Sequence, residues 1–595
     1  MFQEFMTGKK SEHDDVPWQE IIQGAGFSQK TVSNLERFLG KSANDIVKKR
    51  PYALMAFPGF GFARADSIAL SGGILPEDPI RQKAALSYIL DREEDNGHVF
   101  SPFNPVLAEV SELTKVTKEI IVRNLDYFSE YSVDHGKISK RKTRDYEYRI
   151  FQSLKALDQN HIIFEVPDFP KDITRDQKSA FYNAFLSPIS LIIGRPGTGK
   201  TKTIEAIYTE ARKGPHQIAV AAPTGKAANR LKEKGIPALT LHRLLEWVVT
   251  DTMPQGFPTK TAQSPIQAQI VIVDESSMIP SSLLSMLLAA ISPGNHIVLV
   301  GDPNQIPPIG PGCPFLDILN SGKYPTVNLK HIFRQAEGSQ ISLACEAIRE
   351  NSPLDFYKAM RSKPEEAEFK IIKSDETFKD SILASIGNES EDEVQIITAQ
   401  KETSSLFNLF LSEHFNPYRS PSATFSKDDK IIVLKNDYAK GVFNGDQGKV
   451  IEAGLLKGYE VYVGRKKVLI PYSRIVDLKG IKSKPKDVIF RGIRVRIGDL
   501  EALFSEKEFA LLSLSYSITI HKAQGSEWPH VVLVLPDNTY REMKTRNLLY
   551  TAISRAKTKL TVIASHGTLS RCIENPMPPR RTILSTFFSE ASQTT

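Results

Sequence analysis

Cysteine is scarce in this 595-residue chain: Cys313, Cys345 and Cys572 stand far apart. Three isolated thiols supply neither a disulfide framework nor the paired spacing of a zinc site. That usage fits a reducing, cytoplasmic setting. No apolar run approaches the roughly 20 residues of a membrane-spanning helix. Met1 to Asp15 is polar and charged, without the apolar stretch of a secretory signal. No membrane partner is therefore expected. Charge is not extreme either: 76 Lys and Arg against 69 Asp and Glu leave +7, which alone is weak evidence for a polyanionic partner. What is present is 41% hydrophobic and 24% charged residues, a globular balance. The length exceeds one core and suggests roughly three to five domains.

Two similar glycine turns punctuate the front. Gly24-Ala25-Gly26-Phe27 precedes a helix near Ser28, and Gly59-Phe60-Gly61-Phe62 precedes one near Ala63. Paired glycines at a helix start leave amides facing outward. That is the layout of a helix-hairpin-helix gripping a phosphate, and equally of two ordinary helix connections. From about Pro76 to Asn160 a second helical region carries apolar residues at helical spacing over Leu107 to Tyr131. The basic run Lys137 to Lys142 follows it, fitting a small winged-helix-like module or a solvated hairpin.

Beyond Pro167 and Pro170, strands and helices alternate, predicting an α/β architecture with parallel sheets covered on both faces. One set has strands ending at Gly194 and at Ile218–Ala222, Ile270–Val273 and Ile297–Val300. A second begins at Val394–Thr398 and resumes at Leu512–Ile520, Val531–Leu535 and Leu560–Ala564. Between its halves, short strands and turns such as Asn444-Gly445-Asp446 suggest a small barrel. The expected division is 1–75, 76–165, 166–345, 346–419 with 505–575, the insert 420–504, and a poorly ordered Pro-, Ser- and Thr-rich tail over 576–595.

Gly194-Arg195-Pro196-Gly197-Thr198-Gly199-Lys200-Thr201 fits a P-loop, with an apolar strand before it and a helix after. Its glycines let backbone amides curl round a β-phosphate, Lys200 neutralises β/γ oxygens, and the Thr201 hydroxyl suits Mg²⁺. Ile270 to Val273 ends in Asp274 and Glu275, the first placed for Mg²⁺ and the second for polarising a water. Gln305 follows the next apolar strand and is placed to sense the γ-phosphate. Arg334 and Arg555 are candidate arginine fingers, a role worth about 10³–10⁵ in rate. The implied substrate is ATP with Mg²⁺.

Nine motifs together resemble the RecD-like branch of superfamily-one helicases. They are Ile173 to Gln177; the P-loop; Ala222 to Ala228; Thr240 to Leu245; Asp274 to Ser277; Gly301 to Gly312; Phe333 to Gln335; Thr519 to Glu527; and Leu549 to Lys557. They run in the family's order over about two-thirds of the chain. The resemblance implies two RecA-like motor domains, single-stranded DNA and single-/double-strand junctions as partners, 5′-to-3′ travel, and a monomeric motor. The ATP-contacting positions it implies are Gln177 (toward adenine), Gly194, Gly197, Thr198, Gly199, Lys200, Thr201, Lys202, Gly525, Glu527 and Arg555. Those implied for DNA are Thr224, Lys226, His242, Thr519, His521 and Lys522. Glu246 to Pro265 resembles the family's duplex-splitting pin, with Trp247 and Phe257 suited to a wedge or an anchor. The insert resembles an SH3-like domain, and the front resembles the helix-hairpin-helix repeats of longer members. Arg195 departs from the usual glycine.

An RNA-directed motor or a nucleoprotein-remodelling translocase has the same engine. A binding scaffold with a decayed ATPase is opposed by the full set of catalytic residue types. No nuclease constellation of carboxylates and lysine is evident.

Overall fold

The computed structural model describes residues 16–593 apart from 58, 161, 171, 215, 249, 251–252, 254–255, 332–338, 372–377, 438, 464–465 and 473–484. Arg334 and the Met1–Asp15 stretch lie outside the described residues.

Two parallel sheets dominate. In lobe one the strand order is Thr326–Leu329, Ile189–Gly194, His296–Gly301, Ile270–Val273, Ile218–Ala222 and Leu239–Thr240, every pair parallel. Strands such as Ile270–Val273 are buried along their whole length, as a sheet covered on both faces requires. In lobe two the order is Ala367–Ile371, Ala556–Ala564, Trp528–Leu535, Val394–Thr398 and Ser517–Thr519, again all parallel. Both sheets carry separate apolar cores.

The expected single strand over Leu512–Ile520 is two. Leu512–Leu514 pairs antiparallel with Lys430–Val433 in the insert, while Ser517–Thr519 joins the lobe-two sheet. The chain changes sheets at Ser515 and Tyr516, where the Ser515 amide donates to the Lys430 carbonyl. The insert sheet is antiparallel, ordered Leu500–Ser505, Lys486–Ile497, Gln447–Val463, Lys430–Val433 and Leu512–Leu514. It therefore extends beyond the boundary expected at 504.

At the front, Ser28 precedes the helix Gln29–Leu39 and Gly61 the helix Phe62–Ser71. Gly26 and Gly59 are left-handed, with φ of +86° and +83°, conformations that favour glycine. A buried ion pair, Asp66 with Arg81 at 2.8 Å, joins this region to the helix Pro79–Asp95. The basic run splits between the strand Lys137–Lys140, part of a three-stranded antiparallel sheet, and the start of the helix Arg141–Gln159.

Two expectations need correction. The helix Arg141–Gln159 is not part of a separate front module. Its Ile150, Leu154 and Leu157 are buried in the lobe-one core with Leu191 and Leu284. Nor is the C-terminal segment a loose tail. Leu584 and Phe588 of the helix Leu584–Gln593 enter the same core, and the buried Glu147 carboxylate accepts from the Ile583 and Leu584 amides at 2.7 and 2.9 Å. The Pro- and Ser-rich composition concealed two apolar side chains placed one helical turn apart, which decide the outcome.

Among the described residues no helix is long and apolar enough to cross a membrane. Leu584→Ala should cost about 2–4 kcal/mol in chemical denaturation. Leu455→Ala, at a side chain 71% exposed, should stay within about 0.5 kcal/mol. Equal small effects would mean that the C-terminal helix is not packed.

Candidate active site and nucleic-acid interface

The P-loop joins the strand Ile189–Gly194 to the helix Lys200–Ala211. Gly197 and Gly199 have φ of +82° and +84°, so successive amides turn inward at a helix start, where anions are favoured. A Cβ on Gly194 would lie 2.4 Å from Thr198 Oγ1, so the turn closes only over glycine. Thr198 is buried and donates to the Arg195 carbonyl at 2.8 Å. Lys200 Nζ donates to the carbonyls of Gly194 and Arg195 at 2.6 and 3.0 Å.

A cavity of about 320 Å³ lies between the lobes. Gly197, Gly199, Lys200, Thr201, Lys202, Asp274, Glu275 and Gln305 line it from lobe one, with Glu527 and Arg555 from lobe two. Burial, and then the neighbouring Glu275, push the Asp274 carboxyl above the usual carboxylate range. Glu275 sits at φ +51°, a left-handed conformation costing roughly 1–3 kcal/mol and common at functional sites. Glu275 Oε2 and Gln305 Oε1 are buried with no hydrogen-bond partner among the described residues. Together with Asp274 and the Thr201 hydroxyl they form a set of hard oxygen donors that fits Mg²⁺, an ion commonly held by one or two carboxylates plus phosphate oxygens.

Arg555 is 1% exposed. It donates to the carbonyls of Thr551 and Ser526 and to Ser554 Oγ. Three other cations reach the cavity that sequence reasoning did not select: Arg195, Arg230 and Lys234. Arg195 lies at the cavity edge with its side chain partly exposed. It pairs with Glu346 of lobe two at 3.3 Å. Arg230 pairs with Glu527 at 3.0 Å, so an ion pair crosses between the lobes. Part of the signal was available in the spacing, since Lys226 and Arg230 stand four residues apart on the helix Gly225–Lys232.

Some selected residues take other positions. Gln177 completes a capping box with Thr174 and donates to the Gly199 carbonyl at 3.3 Å. It does not line the cavity. Gly194 lines a neighbouring cavity behind the P-loop. Gly525, at φ +73°, lies beside Thr224.

A second cavity, of about 300 Å³, opens on the same lobe boundary. Thr224, Lys226 and His242 line it from lobe one, and His521 and Lys522 from lobe two. Five of the six positions selected for DNA thus share one wall. Thr519 is buried and precedes the short helix Ile520–Ala523 instead. Thr224 caps the helix Gly225–Lys232 through the Ala227 amide, aiming that helix start at the cavity. Pro308, Ile309, Asn444 and Gly445 also line it; Ile309 is 77% exposed. In the candidate pin, Trp247–Val248 pairs antiparallel with Phe257–Pro258. Trp247 is an anchor, stacked edge-on against His242 at 4.9 Å, while Phe257 is exposed.

Burial holds the His242 and His521 imidazoles and the Lys522 ammonium below their ordinary pKa values, with Arg580 and Lys401 adding repulsion at His521 and Lys401 at Lys522. Lys226 is pushed down to about 7 by burial, then by Lys430, with Asp446 opposing. Its ammonium donates to Gln447 Oε1 at 2.6 Å and lies over the Trp528 ring at 5.0 Å.

Fold and site together define a P-loop nucleotide hydrolase of two facing α/β lobes. Residues 18–100 match the family described as the ATP-dependent RecD2 DNA helicase HHH domain, 172–363 an AAA domain, and 514–563 the UvrD-like helicase C-terminal domain. The ATP-dependent RecD2 DNA helicase of Deinococcus radiodurans is 27% identical, over 90% of this chain and 73% of its own. The RecBCD enzyme subunit RecD of Mycobacterium tuberculosis is 27% identical, over 72% of this chain and 76% of its own. A Bacteroides Pif1 helicase structure with ADP-AlF3 and single-stranded DNA is 17% identical, covers 71% of this chain and 98% of that one, and has a TM-score of 0.42. The chain is thus similar to RecD-like helicases, and residues 18–100 match the helix-hairpin-helix model of that group.

Lys226 supplies a pH signature. Its protonated form attracts phosphate, so strand affinity should weaken as pH rises through about 7, and binding should take up protons above that pH. Titrating oligonucleotide affinity from about pH 6 to about pH 8.5 should give a steeper loss for the wild type than for Lys226→Met. Superimposable curves would remove Lys226 from the interface.

Proposed function

We propose that this protein is an ATP-dependent DNA helicase that hydrolyses ATP between two RecA-like lobes. It translocates 5′-to-3′ on single-stranded DNA and opens single-/double-strand junctions. The insert is its SH3-like barrel. One observation carries the reading: groups from both lobes line one cavity of about 320 Å³, and three residues beyond Gln305 the same loop reaches the cavity of Thr224, Lys226, His242, His521 and Lys522.

The chemistry follows from charge and position. Phosphate oxygens replace the Gly194 and Arg195 carbonyls as acceptors for Lys200. Thr201 and Asp274 would hold Mg²⁺, whose charge, when bound, offsets that of the β/γ oxygens. Glu275 accepts a proton from the attacking water, and the Gln305 amide orients that water. Arg555 stabilises charge on the γ-phosphoryl in the transition state from the opposite lobe, so turnover depends on closure. Product loss removes the anion that drew the lobes together. Alternating grip by Lys226 and His242 on one lobe, and His521 and Lys522 on the other, converts closure into travel.

Lys200→Ala should abolish measurable ATP turnover, and Arg555→Ala should reduce kcat by about 10³–10⁵. Unchanged turnover in Lys200→Ala would remove the assigned engine. Strand displacement on tailed duplexes tests the direction: unwinding is expected from 5′ tails, and unwinding solely from 3′ tails would reverse it. Stronger ATPase stimulation by single-stranded RNA than by DNA would instead favour an RNA-directed motor.

A further inference from the structure

The loop from Asp302 to Gly312 is gripped at two places. Lobe two holds its first half. The Ile306 amide donates to Thr551 Oγ1 at 2.9 Å, and the Ile306 carbonyl accepts from Gln524 Nε2 at 3.2 Å. The Ile306 side chain is buried in the lobe-two core.

The C-terminal segment holds its second half. Arg580 Nη1 donates to the carbonyls of Gly310 and Gly312 at 2.8 and 2.7 Å. Its side chain passes against Gly97, where a Cβ would lie 2.2 Å from Arg580 Nε, and the Gly312 amide donates to the Gly97 carbonyl at 3.0 Å. Gly97, Gly310 and Gly312 have φ of +88°, +94° and +89°, so all three backbones take the left-handed form that glycine permits. Neighbouring residues keep Arg580 in place. Arg581 pairs with Glu93 and donates to the Phe100 carbonyl, and Thr582 donates to Asp317. Among the described residues no carboxylate pairs with Arg580.

Between the two grips run Pro307, Pro308 and Ile309, two of which line the strand cavity. Proline fixes φ near −65°, so this span transmits a displacement instead of crumpling. When lobe two moves, Ile306 moves with it. Whether Ile309 follows in a defined direction depends on whether Gly310 is held.

We infer that Arg580 is a positioning residue that fixes the far end of this loop and so couples strand binding to ATP turnover. The inference rests on the helicase reading above. Arg580 lines neither the nucleotide cavity nor the strand cavity. It acts through the two carbonyls it holds, and it makes the C-terminal segment part of the motor.

The test uses the full chain with an oligothymidylate. In Arg580→Met, basal turnover and the KM for ATP should stay at wild-type values. The oligonucleotide concentration for half-maximal stimulation should rise about tenfold, the size of a typical coupling between sites. Arg580→Lys should recover most of that loss. Wild-type stimulation in Arg580→Met, or a parallel fall in basal turnover and stimulation without rescue by Lys, would overturn the inference. Hydrogen exchange in the wild type needs no variant: oligonucleotide should protect 306–312 and 578–583 together, and protection of the loop alone would count against Arg580. A wild-type ATPase indifferent to oligonucleotide would overturn the helicase reading as well.

Discussion

Ile306 belongs by sequence to lobe one and by burial to lobe two. It is 1% exposed and packs with Ile518, Leu549 and Ala552 in the second lobe's apolar core. Extracting such a side chain costs a few kcal/mol, far more than the polar contacts around it contribute singly. Gln305 is its immediate neighbour and lines the nucleotide cavity. Any rotation between the lobes therefore moves Gln305 relative to the P-loop, and any rearrangement at Gln305 pulls on lobe two. Around it the described residues make polar contacts across the seam: Tyr550 to Asp302, Asn547 to the Asn304 carbonyl, Arg230 to Glu527, Arg195 to Glu346. Polar contacts exchange readily with water, so one apolar anchor with a polar surround permits hinging without separation.

The charges in the nucleotide cavity suit a transient polyanion. Arg555 is buried against carbonyls and a hydroxyl, and Lys200 against two carbonyls. Neutral acceptors offset only part of the desolvation of a buried cation. A triphosphate completes that compensation, and its loss restores the deficit. Opposite them, Asp274 and Glu275 are crowded enough that burial and mutual repulsion raise the Asp274 pKa. Cations on both lobes, with Asp274 and Glu275 on one and Glu527 on the other, make the cavity attract phosphate and, through the oxygen donors, a divalent cation.

Much of this was legible because short motifs carry local geometry. The P-loop glycines require φ values that other residues resist, and an apolar run ending in Asp-Glu is a buried strand meeting a cavity. Nine motifs in order brought ten of the positions expected for ATP and catalysis to one cleft and five of those expected for DNA to another. What stayed hidden was long-range. Gln177 reads as a base contact, yet its amide is spent on a capping box and the Gly199 carbonyl. Arg195 stands within the P-loop, but its partner Glu346 lies 151 residues away. Glu147 and the C-terminal segment meet across more than 430 positions, and no local pattern reports such a pairing. Tail-like composition in 576–595 was outweighed by Leu584 and Phe588, because burial of two side chains in an existing core requires little sequence.

The same distant contacts decide which parts move. The helix Arg141–Gln159 is embedded in the lobe-one core, and Arg581 ties the front module to the C-terminal segment, itself packed on lobe one. Front, lobe one and C-terminal segment are thereby cross-connected through apolar packing and buried hydrogen bonds. The insert is tied to lobe two in the same way: Tyr516 bonds Asp429, Lys430 reaches the Glu391 carbonyl and Lys449 pairs with Glu391. Its contacts with lobe one include the Lys226 hydrogen bond to Gln447, the Arg243 guanidinium over Phe443, and the close approach of Asp446 to Gly225. These are polar or edge contacts on the rim of the strand cavity. The mechanical division thus runs through that cavity, with Asn444 and Gly445 on one side and Thr224 and His242 on the other. A strand lying there touches both moving bodies at once, which is the condition for turning hinge rotation into displacement along a polymer.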